Sequence, residues 1–462
     1  MRAYAYVLTV LLLLVFNLLL GPVAARVYDL ARDFGAVEGV DSLEVSLVNA
    51  AAFNASLALA REGDVVQLPR GTWHCMGGIV AAGKRGLTLS IDGTIVVSGN
   101  IKHWPRRGEG PNSRVMEFFE FTDMVDFTIT SSQTASPGAR GASAGRDGIG
   151  MIDGNGPKWW GIPGIGYLLR GENRPRLLRI RKSTNVKVER IFFRNPPYWT
   201  TFMHANGLEV RDCKIEAWRV SRTSHSIIDM TAFNTDGFDV SGNNIWIHDC
   251  SVWNQDDSFC IKDNTTNVVI ENINASGIGL TIGSIASTVD NITFRNANMF
   301  HTYKGIYMKF RGAGTISNVL YENIMMDEPE QYPIWIGPAQ QSDTSDLCAA
   351  HPCSICWPDV PFSKCDAPKD AHYINVTLRE ITVNHPKGNP GVILANGDSE
   401  MQNMTFDGVI VNHLSTHKTK WGTNYYCKGV KRGVARGGTY PVPPCFEDQT
   451  RSAARMKTIA TS

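Results

Sequence analysis

Three aspartates stand close enough in the sequence to work together on one substrate. Asp236 lies two residues after Asn234, and the adjacent pair Asp256 and Asp257 follows twenty residues later, directly after Gln255. This interval is close to the spacing of strand-like segments in the flanking sequence, so the three carboxylates would lie side by side on neighbouring strands. Converging carboxylates are the groups that carry out acid/base hydrolysis.

The adjacent pair Asp256 and Asp257 sets a condition on the local structure. Neighbouring residues on a regular strand point to opposite faces, so the two side chains share a cleft only at a turn or bulge. Carboxyl groups packed together raise one another's pKa, which keeps one protonated as an acid while the other stays ionised as a base. A solvated turn or a calcium site is the alternative interpretation of such a pair.

A repeated strand pattern surrounds the aspartates. Short segments with alternating β-branched residues begin at Val186, Leu208, Ile245, Val268, Ile292, Val319, Val376 and Met404. Period-2 alternation predicts strands with one inward face, and a repeat near 23 residues predicts a solenoid of stacked coils. We therefore predict an all-β fold, a single-stranded right-handed parallel β-helix. A β-sandwich or a propeller is the alternative, but it would show more hairpin signals or a blade signature.

The flanking segments predict a division of the chain into four parts. Residues 1–25 resemble a signal peptide, and residues 26–124 would form a short N-terminal capping region and the first coils. An alanine-rich stretch around 45–60 would be a helix that covers the open end of the solenoid. Residues 125–428 would be the β-helix catalytic domain, and residues 429–462 a partly disordered C-terminal tail.

The N-terminus predicts secretion. An apolar run from about Val7 to Leu20 precedes small residues suited to cleavage after Ala25. An uncleaved anchor is the alternative, but the run is short of the roughly 20 residues that span a bilayer. Six Asn-x-Ser/Thr sequons fit a secreted glycoprotein, at Asn54, Asn264, Asn274, Asn291, Asn375 and Asn403. We expect an extracellular or cell-wall location and no membrane contact after cleavage.

Neither the charge nor the cysteine content indicates a nucleic-acid partner or a metal centre. The formal net charge of +1 gives no large field to attract nucleic acid or anionic lipid. Four of the ten cysteines cluster in a proline-rich segment, at Cys348, Cys353, Cys356 and Cys365. Disulfides are the favoured interpretation in an oxidising compartment, with a zinc site as the alternative. The spacing does not determine the connectivity.

Six motifs, taken in order, resemble one enzyme family. They are Gly150 to Gly156, Trp159-Trp160, Asn195 to Trp199, Asn234 to Gly237, Gln255 to Asp257, and Gly305 to Lys309. Over roughly residues 30 to 420 the chain is similar to the polygalacturonases, glycoside hydrolase family twenty-eight. The resemblance implies a pectin-lyase-like β-helix that hydrolyses pectic polysaccharides with inversion at the anomeric carbon, without a metal or other cofactor.

The resemblance also implies roles for individual residues. Asp256 would be the general acid, and Asp236 with Asp257 would activate the attacking water. An inverting enzyme holds its carboxyl groups roughly 6.5 to 9.5 Å apart to admit that water. The candidate substrate-binding residues are Asn234, Gln255, Lys309 and Arg311.

Two of the positions at which the chain departs from the family lie in the motifs of its site. The histidine of the family's Gly-His-Gly stands here as Ile278, and the arginine of its Arg-x-Lys stands as Tyr307. A guanidinium binds a carboxylate through two hydrogen bonds, which Tyr307 does not reproduce. Arg311 is a candidate replacement for the arginine. His225 and His301 are candidates for the histidine, although a lone histidine is more often structural.

These observations favour a secreted, monomeric glycosidase that acts on pectic polysaccharide in the manner of a polygalacturonase. One alternative is a hydrolase of a different pectic sugar, such as rhamnogalacturonan or xylogalacturonan. Another is a catalytically weakened, carbohydrate-binding wall protein. A β-eliminating lyase ranks last, because no calcium-loop spacing accompanies the aspartates.

Overall fold

The computed structural model describes residues 25–132, 150–161, 173–226, 228–341, 348–349, 351–415 and 423–450. The predicted signal peptide, apart from Ala25, lies outside the described residues, as does the end of the predicted tail.

Two helices follow the first strand. Helix α1 spans Leu30–Phe34 and helix α2 spans Leu43–Leu59. Helix α2 begins where the Ser42 side chain accepts a hydrogen bond from the backbone N–H of Val45, which satisfies one free donor of its first turn. Its buried Phe53 packs edge-on against Phe119 at 5.5 Å between ring centroids. The predicted capping helix is therefore confirmed.

Neither described helix has the length and apolar character needed to cross a membrane.

Most of the other regular structure in the described residues consists of strands, with four short 3-10 helices between them. The N-terminal strands are β1 (Val27–Asp29), β2 (Val65–Leu68), β3 (Thr72–Cys75), β4 (Ile79–Ala82), β5 (Thr88–Ile91), β6 (Thr94–Val97), β7 (Arg106–Arg107), β8 (Arg114–Val115), β9 (Phe119–Thr122), β10 (Val125–Thr130) and β11 (Gly150–Asp153). The central strands are β12 (Leu178–Glu189), β13 (Ile191–Arg194), β14 (Thr201–Arg211), β15 (Lys214–Glu216), β16 (Phe238–His248), β17 (Ser251–Trp253), β18 (Asp257–Ile261), β19 (Thr265–Ser276), β20 (Gly279–Ile285), β21 (Thr288–Phe300), β22 (Ile306–Phe310), β23 (Gly314–Asp327) and β24 (Ile334–Pro338). The C-terminal strands are β25 (Gln340–Gln341), β26 (Cys353–Ser354), β27 (Ala371–Asn384), β28 (Gly391–Leu394), β29 (Met401–Asn412), β30 (Tyr426–Lys428), β31 (Val430–Arg436) and β32 (Glu447–Asp448).

The strands stack as the coils of a parallel β-helix. Within the described residues, 28 strands join one sheet in which each strand pairs in parallel with a strand of the next coil. The eight repeat positions named above occupy a single column, since each is the direct partner of the next: Val186, Leu208, Ile245, Val268, Ile292, Val319, Val376 and Met404. Their side chains are buried in the continuous core. The predicted solenoid and the register of its repeats are confirmed.

The β-helix continues past the boundary predicted at residue 428. Strand β31 pairs with β29, and the two-residue strand β32 pairs with β31. Phe446 packs against Phe406 at 4.9 Å, and a disulfide joins Cys427 to Cys445. The described part of the predicted tail is therefore ordered solenoid, because these contacts bury apolar surface that composition alone did not reveal.

The cysteine cluster forms two disulfides, Cys348–Cys356 and Cys353–Cys365. They tie together the segment that follows β25, and this segment packs Trp357 edge-on against Trp335 of β24 at 5.7 Å. The disulfide interpretation is confirmed. The zinc alternative is excluded, because each of the four sulfurs is bonded to another sulfur in one of the two disulfides.

Candidate active site

The aspartate pair lies where the chain turns between two strands. Asp256 occupies the turn after β17, and Asp257 begins β18. The pairing of β18 with β20 shifts register between Asp257 and Phe259, which is the bulge that the adjacent pair requires. The side chain of Asn254 holds this turn against the previous coil, because its Nδ2 donates to the carbonyls of Thr235 (2.8 Å) and Asp257 (2.9 Å).

The three carboxylates converge. Asp236 precedes β16 in the previous coil, and one oxygen from each of Asp236, Asp256 and Asp257 lies within 4.8 Å of the others. The carboxyl groups are thus closer together than the roughly 6.5 to 9.5 Å expected for an inverting pair. The three residues are 3, 6 and 2% exposed. They line a cavity of about 420 Å³, a size typical of small-molecule and sugar sites.

Two lysines balance the charge of this group. Lys309 Nζ lies 2.9 Å from Asp257 Oδ2, and Lys262 Nζ lies 3.7 Å from Asp236 Oδ2. Lys262 also lies 3.2 Å from Asp239, a fully buried residue of β16. We call Asp236, Asp256 and Asp257, with these lysines, the acid end of the cavity.

The environment separates the protonation states of the three acids. Burial, followed by the charge of Asp257, raises the pKa of Asp256 to about 6. Burial acts the same way on Asp257, but the charges of Lys309 and Lys262 outweigh it and hold its pKa below the usual value. Burial and then the charge of Asp256 raise the pKa of Asp236. At mildly acidic pH Asp257 is therefore ionised beside Asp256, which retains its proton.

Asn234 is part of the support for Asp256. Its backbone N–H donates to Asp256 Oδ2 at 3.1 Å, and its side-chain Oδ1 accepts a hydrogen bond from the Arg174 guanidinium at 3.1 Å. Asn234 lies on the cavity wall, and it also orients a carboxylate.

Gln255 also lies on the cavity wall, but both ends of its amide are engaged within the protein. Nε2 donates to the carbonyl of Ala217 at 3.0 Å, and Oε1 lies 2.9 Å from His225 Nδ1. His225 Nε2 contacts Ser276 Oγ at 2.8 Å. The hydrogen bonds of His225 thus go to Gln255 and Ser276 and not to the aspartates, while His301 lies 3.7 Å from Glu328 and 3.9 Å from Glu330.

Arg311 does not lie on the cavity wall. Its guanidinium pairs with Asp263 at 2.5 Å and contacts the carbonyl of Ser284, and its side chain is 41% exposed. The reason is local: β22 ends at Phe310, so the strand alternation that would place residues 309 and 311 on one face stops before Arg311. The other six predicted site residues, by contrast, share one cavity.

A second group of residues lines the cavity on the coils that follow the coil of Asp256, and sequence reasoning missed two of them. The backbone N–H of Ile278 donates to the carbonyl of Asp256 (2.8 Å), and that of Lys304 donates to the carbonyl of Ile278 (3.1 Å). Lys304 Nζ donates to Gln331 Oε1 at 3.0 Å and lies 5.0 Å from the Tyr307 ring centroid. We call Ile278, Lys304, Tyr307 and Gln331 the lysine end of the cavity.

The described architecture agrees with known proteins. Residues 138–435 of this chain match the family described as Glycosyl hydrolases family 28. The chain belongs to this family. A probable endo-xylogalacturonan hydrolase A of Neosartorya fischeri is 24% identical over 390 residues, which cover 77% of this chain and 86% of the relative. A probable exopolygalacturonase B of Emericella nidulans is 25% identical over 284 residues, 54% of this chain and 63% of the relative.

Solved structures share the fold. An endo-xylogalacturonan hydrolase from Aspergillus tubingensis superposes with a TM-score of 0.61 at 18% identity, covering 89% of this chain and 99% of the other. This family 28 glycosyl hydrolase is thus a right-handed parallel β-helix that acts on O-glycosyl bonds, as predicted.

In this glycosyl hydrolase the three aspartates are also the described residues that could together hold a metal ion. Carboxylate oxygens are ligands that Ca²⁺ and Mg²⁺ prefer. However, the ammonium groups of Lys309 and Lys262 already occupy positions beside Asp257 and Asp236, and they would repel a bound cation. The donor set therefore fits proton transfer better than metal binding.

Lys262 and Asp239 are further site residues that sequence reasoning missed. A signal was present, because several buried acids beside one predicted lysine leave excess negative charge that a second cation must balance. Lys262 stands only five residues after Asp257, directly after the last residue of β18. No comparable signal pointed to Lys304.

Proposed function

We propose that this family 28 glycosyl hydrolase cleaves a pectic polysaccharide by inverting acid/base hydrolysis, with Asp256 as the general acid. The observation that carries the proposal is the separation of protonation states at the acid end. Asp256 favours its proton up to a pH of about 6, while Asp257 stays ionised.

The proposed reaction uses this separation directly. Asp256 donates its proton to the glycosidic oxygen as the bond to the anomeric carbon breaks. Asp257 accepts a proton from the water that attacks the opposite face of the sugar, and Asp236 orients this water. Lys309 and the hydroxyl of Thr281, which donates to Asp257 Oδ1 at 2.8 Å, keep Asp257 ionised and in place.

The substrate proposal rests on the relatives and on the charge of the cavity. The relatives are named for xylogalacturonan and polygalacturonan chains, and three lysines line the cavity in this chain: Lys262, Lys304 and Lys309. Xylogalacturonan is the second candidate, since the first relative and the superposed structure both carry that name. The substitutions Ile278 and Tyr307 fit a site that differs from that of a plain polygalacturonase.

The decisive experiment offers the purified protein oligogalacturonates, xylogalacturonan and rhamnogalacturonan, and follows product size and anomeric configuration by NMR. We expect hydrolysis of a galacturonan-based substrate with inversion, no unsaturated products, and no loss of activity with a chelator. Asp256→Asn should abolish the turnover. Unsaturated products would indicate a lyase, and binding of all three polymers without turnover would indicate a wall-binding protein.

We also propose that the protein is secreted and monomeric. N-terminal sequencing of the protein exported by a eukaryotic host should begin after Ala25. Light scattering should give the mass of one chain.

A further inference from the structure

Lys304 differs from the other lysines of the cavity in its charge balance. Lys309 pairs with Asp257, and Lys262 pairs with Asp236 and Asp239. Lys304 is only 5% exposed, yet within the described part of the chain no carboxylate forms an ion pair with it. Its hydrogen-bond partner is the neutral amide oxygen of Gln331, at 3.0 Å.

This arrangement leaves a buried ammonium group undercompensated. Burying a charge without an opposite charge is costly, and the cost falls when an anion arrives. The rings of Tyr307 and Trp335, at 5.0 and 5.5 Å from Nζ, contribute cation–π attraction, but they do not neutralise the charge. A ligand carboxylate bound beside Lys304 therefore gains more binding free energy than a neutral group bound there.

The position of Lys304 relative to the acids suits a polymer. Asp256, Ile278 and Lys304 follow one another on successive coils, joined by the backbone hydrogen bonds given above. Two coil spacings place Lys304 on the order of 10 Å from Asp256 along the helix axis. A chain whose glycosidic bond lies at Asp256 would then have a neighbouring sugar beside Lys304.

We propose that Lys304 binds the carboxylate of a uronate sugar next to the cleaved bond and so determines the preference for an acidic substrate. This inference rests on the proposed function and adds to it the residue that recognises the acid. Gln331 fixes the ammonium group, and the Tyr307 ring forms the surface against which the bound carboxylate is positioned.

The electrostatics give the interaction a pH dependence. Burial, followed by the charge of Lys309, lowers the pKa of Lys304 to about 7, while Asp257, Asp256 and Asp359 oppose this shift. The neighbouring Tyr307 and Tyr332 stay neutral, because burial raises the pKa of each. Lys304 is charged below pH 7, and a bound carboxylate would raise its pKa. Affinity for acidic substrates should therefore fall above pH 7 and change little for neutral ones.

The test compares Lys304→Met with Lys304→Arg and with Lys187→Met, a matched control that removes one charge from an exposed ion pair with Glu209. The substrates are a trigalacturonate and its methyl-esterified form. We expect Lys304→Met to raise the KM for the acid at least about tenfold, with kcat within about threefold and the ester KM unchanged. Lys304→Arg should recover part of the loss, and Lys187→Met should match the wild type. Equal losses on acid and ester, or no loss, would overturn the proposal.

A binding experiment separates this inference from the proposed function. Calorimetry with D-galacturonate and D-galactose needs no turnover. We expect Lys304→Met to weaken binding of D-galacturonate but not of D-galactose. In the wild type, the difference in affinity between the two sugars should become smaller above pH 7. If the enzyme hydrolyses none of the polymers but this selectivity persists, only the proposed function fails. If Asp256-dependent hydrolysis occurs while Lys304→Met leaves the affinity for galacturonate unchanged, only the present inference fails.

Discussion

The acid end and the lysine end of the cavity differ in whether their charges are matched before a ligand binds. At the acid end Lys309 lies 2.9 Å from Asp257, so the charged groups are already compensated. At the lysine end, among the described residues, no carboxylate pairs with Lys304, and its hydrogen-bond partner is the neutral amide of Gln331. The comparison indicates that the groups that carry out the reaction are preorganised, whereas the charge of Lys304 is balanced only when the substrate binds. A substitution at either end should therefore affect a different kinetic constant.

The largest expected effect is that of Asp256→Asn, which removes the acid but keeps the shape of the side chain. We expect kcat to fall about 10³-fold, because general acid catalysis is lost, with KM changed less than threefold. The measurement is the release of reducing ends, with circular dichroism as the control for folding. The contrast between the two ends would be lost if Asp256→Asn raised KM as strongly as Lys304→Met.

Lys309→Met should be the most destabilising change at the acid end. It leaves Asp257 buried without its cation, a loss of about 3 kcal/mol in the free energy of unfolding. The control is Arg311→Gln, which breaks a partly exposed ion pair with Asp263 and should cost less than about 1 kcal/mol. Denaturant unfolding of both variants measures the difference. Equal losses would show that the two ion pairs are equivalent.

The pH profile should separate the two aspartates of the pair. Activity needs Asp256 protonated and Asp257 ionised, so kcat/KM should fall above a pH of about 6 and fall again at low pH. Thr281→Val removes a hydrogen bond to ionised Asp257 and should raise its pKa, which moves the acid limb to higher pH. The alkaline limb should stay in place. Movement of both limbs together would mean that the pair titrates as one unit.

The smallest expected effect belongs to Tyr307→Phe at the lysine end. The Tyr307 hydroxyl accepts a hydrogen bond from the backbone N–H of Gln340 at 3.1 Å, and its loss should cost about 1 kcal/mol of stability. The ring beside Lys304 remains, so KM for trigalacturonate should change less than twofold. Tyr307→Leu removes the ring as well and should raise that KM further. A larger KM effect for Tyr307→Phe would assign recognition to the hydroxyl.

The sequence predicted the features that repeat locally and missed those that depend on stacking between coils. The column that runs from Val186 to Met404 follows from period-2 alternation, and the capping helix follows from its composition. The convergence of the three aspartates was predicted because Asp236 lies about one coil before Asp256 and Asp257.

The partners of the buried lysines were harder to predict from the sequence, because each lysine and its partner lie on separate coils. Lys304 meets Gln331 across 27 residues of sequence, and Lys309 meets Asp257 across 52. Arg311 was placed in the site by extending the alternation of β22 beyond its last residue, Phe310. Because β22 ends one residue before Arg311, this side chain forms an ion pair with Asp263 and does not line the cavity.

The two ends of the solenoid are closed by different means, and this bears on how the enzyme would wear out in use. Helix α2 covers the first coils with buried side chains, whereas the described part of the last coil is closed by the two-residue strand β32, Phe446 and the disulfide Cys427–Cys445. That disulfide closes a loop of 18 residues, a constraint worth about 3 kcal/mol. Surrounding thiols would remove it, and unwinding would then start from the C-terminal coil. The stability of the C-terminal coil should therefore depend on the redox chemistry of the surroundings, whereas the helix that covers the first coils should be insensitive to it.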